Sequence, residues 1–207
     1  MKINLKRLVL SLILLLVLSP VGRSMDSLKY SISMNYYKDL SDTYGGGYLY
    51  AGEFGLTNSW YGACISFGHF QSHTIFNYSI SIEEISKSIN IPFDEVTIMK
   101  TGSLSAKLIP IQTRLLTTEL LFGLSFGSAK NSRFNSVDYS YSLINNKFNY
   151  LYKDYKLVKR NHFGYQVGIN ISLLITKKFG LQVNSRMQDL NNSGTFFFVG
   201  GGLCFRL

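Results

Sequence analysis

The chain has 207 residues, enough for one domain, and carries 21 Lys and Arg against 12 Asp and Glu for a formal net charge of +9. Its 2 Cys and 3 His lack the spacing of a metal site or a disulfide framework, so no metal and no cofactor is expected. No zinc-finger, helix-turn-helix or RNA-recognition signature accompanies the basic excess, so no nucleic-acid partner is expected either.

Met1 to Arg7 is a basic stretch, Leu8 to Leu18 an apolar run, and Gly22 and Ser24 are small residues at the two positions a signal peptidase inspects. A transmembrane anchor is the rival reading. The run from Leu8 to Val21 is broken by Ser11, Ser19 and Pro20, however, and falls short of the roughly 20 residues a spanning helix needs. No Cys stands directly after the run to carry a lipid. Residues 1–24 are therefore read as a cleaved signal peptide and 25–207 as the mature domain. The leader holds Lys2, Lys6, Arg7 and Arg23 and no acid, so taking these four cations from +9 leaves +5.

The mature chain reads as eight strands. A composition of 14 Tyr, 15 Phe and only 3 Pro favours them, and the one short helical possibility lies around Ser81 to Ile89. Leu28 to Lys38 sets Leu28, Tyr30, Ile32, Met34 and Tyr36 against Lys29, Ser31, Ser33 and Asn35. Gly47 to Leu56 sets Tyr48, Tyr50, Phe54 and Leu56 against Ala51, Glu53 and Gly55. The third strand sets Tyr61, Ala63, Ile65 and Phe67 against Gly62, Cys64, Ser66 and Gly68. The fourth, around Thr101 to Gln112, sets Leu104, Ala106, Leu108 and Pro110 against Ser103, Ser105 and Lys107. Thr118 to Ser128 sets Leu120, Phe122, Leu124 and Phe126 against Glu119, Gly123, Ser125 and Gly127. Phe163 to Leu173 alternates without an error, every odd residue apolar or aromatic and every even one Gly, Gln, Asn or Ser. Phe179 to Asp189 sets Leu181, Val183 and Met187 against Gln182, Asn184, Arg186 and Gln188, and Gly194 to Leu207 supplies the last strand.

A period of two means that the two faces of each strand meet different solvents. Connections near Thr57–Ser59, Thr113–Thr117 and Thr176–Lys178 are short, whereas 70–100 and 129–161 are expected as long loops. Short turns at one end and long loops at the other are the asymmetry of a transmembrane up-and-down β-barrel. The fold class is all-β, eight antiparallel strands. Ten is the alternative, because Val137 to Leu143 and Phe148 to Tyr155 read as a further hairpin around Asn145-Asn146.

Two stretches carry a resemblance to a known group. Leu104-Ser-Ala-Lys-Leu-Ile-Pro-Ile111, with its Ile-Pro pair, and the Gly-rich final strand resemble the small outer-membrane β-barrel domain proteins of the bacteroidete type, related in architecture to the OmpA and OmpX barrels. The resemblance implies residence in the bacterial outer membrane and insertion by the barrel-insertion machinery. Gly202, Phe205 and Leu207 match the C-terminal assembly signal, with Leu in place of the usual terminal aromatic. Outer-membrane lipid and lipopolysaccharide are then the expected surroundings, and Lys147, Lys153, Lys156, Lys159 and Arg160 suit that anionic surface.

The chemistry follows from the polar face. Glu53, Lys107, Glu119 and Arg186 are expected to point into a narrow lumen, where opposite charges must pair, because an isolated buried ion is very costly. An eight-stranded barrel is just wide enough for side chains to fill, so a salt-bridged plug is expected rather than an open pore. A lipid A-modifying hydrolase is one alternative, with His69, Ser72 and His73 near the rim, but nothing in their spacing assembles a nucleophile and base. A periplasmic lipocalin-like binder is another and would need apolar residues inside. Cys64 and Cys204 are expected inward, too far apart around the ring to bridge. Any specific partner, such as another envelope protein, is expected at the 129–161 segment, where Tyr139, Tyr141, Phe148, Tyr150, Tyr152 and Tyr155 stand among Lys, Asn and Ser. The protein is thus read as a structural or adhesive barrel without a catalytic residue.

The leader assignment is tested by intact mass. Protein extracted from the cell envelope is expected to begin at Met25, and retention of Leu8 to Leu18 would defeat the assignment.

Overall fold

A computed structural model describes residues 28–41, 45–82 and 87–207. The expected signal peptide lies outside them. The strands are β1 (Lys29–Asp39), β2 (Gly47–Thr57), β3 (Tyr61–Ile82), β4 (Lys87–Gln112), β5 (Leu116–Ser142), β6 (Lys147–Leu174), β7 (Phe179–Leu190) and β8 (Gly194–Arg206). Each pairs antiparallel with its sequence neighbours, and β1 closes the ring on β8 from Ser31↔Arg206 to Asp39↔Phe198. Closure removes every strand edge within the barrel wall. The ring has eight strands and not ten, since residues 137–155 prolong β5 and β6 instead of adding a pair.

The barrel is built for an apolar solvent outside. Met34, Phe67 and Val183 are 71, 64 and 62 % exposed, whereas Glu53, Lys107, Glu119 and Arg186 are all buried inside. The phases read from sequence hold across the barrel wall. A water-soluble barrel would reverse the two faces, and this one presents its apolar face as a membrane-spanning barrel must.

The strands differ in reach. β3 to β6 run 22 to 28 residues, against 11 to 13 for the other four. Residues 70–82, 87–100, 129–142 and 147–161, expected within long loops, are therefore strand, and in place of a helix near Ser81 to Ile89 the described residues there pair as Ile82↔Lys87. The turns 58–60, 113–115 and 175–178 lie at one end of the barrel, and the long hairpins project from the other. β4 and β5 pair up to Val96↔Ser132 and then part, leaving a β3–β4 arm and a β5–β6 arm. Residues 147–163, beyond the last β6–β7 pair at Gly164↔Leu190, run on the order of 55 Å at about 3.3 Å each.

Irregularities in the ladder have identifiable residues behind them. The Ile109-Pro110 pair is a bulge between Leu108↔Leu120 and Ile111↔Thr118, placed where proline has no N–H to give the ladder. Asn135 and Asn149 interrupt the β5–β6 register, and each side-chain amide donates across the arm, to Asp154 Oδ2 at 2.6 Å and to Ser140 Oγ at 3.2 Å. The 143–146 turn closes with Asn146 at φ 51°, a conformation Asn tolerates.

The lipid-facing phase of β6 is tested by charge insertion. Ile169→Arg is expected to cost about 2–4 kcal/mol in reversible folding into vesicles, with a much smaller loss for a volume-conserving polar change at the lumenal Asn170. Equal loss at both positions would refute the assigned faces.

Candidate functional site

The densest chemistry in the molecule is the lumen. Glu53 on β2 and Arg186 on β7 meet across it, the guanidinium donating to Glu53 Oε1. Tyr37 OH donates to the same oxygen at 3.3 Å, and its ring lies 5.2 Å from the Arg186 guanidinium. Lys107 on β4 donates to Glu119 Oε2 on β5 at 2.8 Å, and Asn170 Nδ2 reaches that oxygen at 3.4 Å. The four charges thus form two neutral pairs. Gly55 makes room for one of them, because a Cβ there would stand 3.0 Å from Lys107 Nζ and 2.6 Å from Ser31 Oγ.

Neutral polar groups fill the space around the ions. Gln166 Nε2 donates to Ser103 Oγ at 2.8 Å and Ser105 Oγ at 2.6 Å, and Ser66 and Ser103 share a 2.6 Å bond. Asn184 Nδ2 donates to Asn35 Oδ1 at 2.7 Å. At the long-hairpin end the lumen changes character. Tyr37, Leu49, Phe70, Met99, Leu190, Phe196 and Phe198 close it with an apolar cluster, in which Phe196 and Phe198 stack at 5.6 Å and Phe70 meets both edge-on. Sequence reasoning passed over this lid. The signal was available in Thr195-Phe-Phe-Phe-Val199, where Phe196 and Phe198 occupy the inward phase that elsewhere holds small polar residues.

The rim residues do not assemble a catalytic centre. His69 and His73 face outward on β3 while Ser72, between them in sequence but on the opposite phase, is buried inside. His73 Nε2 instead lies 2.9 Å from Asp94 Oδ1 on the outer face of β4. Cys64 and Cys204 are free thiols buried in the lumen, on strands separated by β1 and β2.

The two arms pack on each other. Ile80, Ile91 and Phe93 of the β3–β4 arm are buried against Phe134, Val137, Tyr139, Phe148, Leu151 and Tyr155 of the β5–β6 arm. Phe93 and Phe134 have ring centroids 4.1 Å apart, and Lys153 Nζ sits 5.1 Å from the Phe93 centroid while donating to Pro92 O at 2.6 Å. Of the six aromatics singled out in 129–161, Tyr139, Phe148 and Tyr155 belong to this second core. Tyr141 packs on Phe148 at 5.3 Å. Tyr150 and Tyr152 are 52 and 66 % exposed. At the far end of the chain, Phe205 packs outward on Phe179 at 5.1 Å, Gly202 lies flat against Met34 O, and Leu207 N donates to Tyr30 O at 2.9 Å.

Against solved structures, the chain is similar to a major outer membrane protein of Thermus thermophilus at TM-score 0.55 and 12 % identity, covering 87 % of this chain and 99 % of that one. Neisserial surface protein A aligns at TM-score 0.53 and 11 % identity, covering 86 and 96 % of the two chains. The attachment invasion locus protein Ail of Yersinia pestis, in complex with the heparin analogue sucrose octasulfate, aligns at 0.52 and 15 %, covering 87 and 99 %. The fold is that of the small outer-membrane barrels. No family model matches the sequence, and no curated protein matches it. The likeness carries the architecture and not the bacteroidete lineage.

The lumenal pairs generate a stability prediction. Lys107→Ala or Glu119→Ala is expected to destabilise by about 3–5 kcal/mol, because the survivor remains buried and charged. The double variant is expected to lose less than the sum. Additive losses in reversible folding would show that the two groups do not depend on each other.

Proposed function

We propose that the protein is an integral outer-membrane barrel that acts through its projecting arms, in a structural or adhesive role. The observation that carries this reading is the second core. Side chains in the wall are committed to lipid or to the filled lumen, whereas the arms hold each other in one orientation and keep a face free. Tyr150 and Tyr152 lie two apart on that face, with Asp138 and Ser140 as their cross-strand partners. Tyrosines beside small polar groups give rigid contact area at low entropic cost. Among the described residues, the β6 edge from 147 to 163 has no strand on its β7 side. Adhesion is in keeping with the name of the similar attachment invasion locus protein. Residues 1–24 serve export, and Gly202, Phe205 and Leu207 serve recognition by the barrel-insertion machinery. The filled lumen speaks against a pore, and the opposed faces of Ser72 and the two rim histidines speak against the hydrolase. The charged interior speaks against a lipocalin-like binder.

The test removes both arms together, because cutting one would bare the apolar face of the other. Replacing 76–93 and 134–155 by short Gly-Ser turns cuts at the pairs Phe76↔Phe93 and Phe134↔Tyr155. The shortened barrel is expected to insert and to keep its heat-modifiable mobility on gels. It is expected to lose the envelope or surface partners that crosslink to the full chain. The same crosslinked partners at the same yield would refute the role of the arms.

A further inference from the structure

We propose that Lys100, Lys130 and Lys159 form a site for the phosphate groups of lipid headgroups in the leaflet facing the arms. The inference deepens the membrane reading above and rests on the barrel spanning that bilayer.

Position along the wall is read along each strand, because the strands tilt and the register rows climb toward the arms from β1 to β6. Phe67, Gly102, Phe126 and Phe163 lie side by side across β3 to β6, with the three phenylalanines facing outward. The next outward row toward the arms is Tyr36, Tyr50, His69, Lys100, Ser128 and Asn161, and the one after it holds Tyr48, Gln71, Ile98, Lys130 and Lys159. Tyr36 stacks on Tyr48 at 5.5 Å and lies tilted to Tyr50 at 5.1 Å, and all three are exposed. A tyrosine cluster above an apolar belt marks the membrane–water interface. On their own strands Lys100, Lys130 and Lys159 each stand four residues toward the arms from an outward apolar residue, Leu104, Phe126 and Phe163, and so reach headgroup level above the apolar belt and below the arms.

Their mutual placement is unfavourable without an anion. Lys130 and Lys159 are direct cross-strand partners on the outward face, with Cβ atoms about 4.5–5.5 Å apart, and Lys100 is the diagonal neighbour of Lys130 at about 7–8 Å. Like charges directly opposite are destabilising. Among the described residues the ion pairs are His73–Asp94, Lys107–Glu119 and Arg186–Glu53, so no carboxylate neutralises this triangle. A phosphate is small enough to meet all three flexible ammonium groups and carries the charge they lack. A phosphorylated lipid supplies it at the right height, held there by its own acyl chains.

The experiment uses the full mature chain folded into phosphatidylcholine vesicles with or without a minor fraction of diphosphoryl lipid A. The readout is the temperature at which the folded band disappears from gels. Lipid A is expected to raise it for the wild type. In Lys130→Gln/Lys159→Gln most of that rise is expected to vanish, while in phosphatidylcholine alone the variant melts no lower than the wild type, because a repulsion has been removed. The control Lys147→Gln/Lys156→Gln changes net charge equally, higher on the arm, and is expected to keep the rise. An equal rise in all three proteins would overturn the proposal, as would an equal loss in the control. Inorganic phosphate added to plain vesicles is expected to do little, and a rise matching that of lipid A would show a free-anion site in place of a lipid one. Deletion of the arms leaves Lys130 and Lys159 in place, so this site and the role of the arms fail separately.

Discussion

The constraint on which the structure depends is that a spanning segment must satisfy every backbone group within itself while presenting apolar atoms to lipid. Closure of the ring meets the first demand, and outward Leu, Ile, Phe and Tyr meet the second. Together they leave the polar half of each strand nowhere to go but inward. Eight strands enclose a space that side chains fill, so polar groups driven inside meet each other rather than water. Glu53, Arg186, Lys107 and Glu119 are then obliged to neutralise one another, Gln166 to bond Ser103, and Asn184 to bond Asn35. The polar lumen follows from the lipid outside.

The alternation that made this legible also marks where legibility stopped. All eight strands could be phased from sequence where lipid and lumen make the two faces different. In the β3–β4 arm the apolar side changes over. In the wall of β3 the outward residues are Ile65 and Phe67, but above the rim the apolar residues are Phe76, Tyr78 and Ile80, on the opposite phase. β4 does the same, from Leu104 and Leu108 outside to Phe93, Ile91 and Ile89 on the other face. A strand that is apolar-out in lipid becomes apolar-in once water surrounds it. The one-residue slip in hydrophobic phase reads as a broken pattern, although the hydrogen-bond ladder from Tyr61↔Leu108 to Ile82↔Lys87 is unbroken. The β5–β6 arm hides itself by another route, since the Asn135 and Asn149 irregularities each shift the count by one.

The candidate site was legible in the same uneven way. The inward phase of the four charged residues could be read from single strands, because phase is local. Which acid meets which base could not, because Glu53 and Arg186 stand 133 residues apart and join only through closure of the ring. The division of the aromatics in 129–161 was equally out of reach. Tyr139 and Tyr155 differ from Tyr150 and Tyr152 in facing the other arm, and the sequence of one hairpin does not announce the existence of a second apolar face.

The aromatic lid joins the two halves of the molecule physically. Phe70, Met99 and Ala129 belong to strands that continue into the arms, and with Phe196 and Phe198 they close the lumen just below the wet end. Tyr37 is the link, its ring at 6.2 Å from Phe198 and its hydroxyl on Glu53. An apolar layer between bulk water and the Glu53–Arg186 pair keeps the local dielectric low, which strengthens the attraction between paired ions and raises the cost of leaving either alone. The lid and the ion pairs therefore depend on each other: the lid excludes the water that would weaken the pairs, and the pairs neutralise charges that the lid could not cover singly. The arms stand above this seal with a core of their own. Variation in their exposed faces leaves the barrel's solution to the membrane problem intact, and that separation lets a recognition surface change on a fixed support.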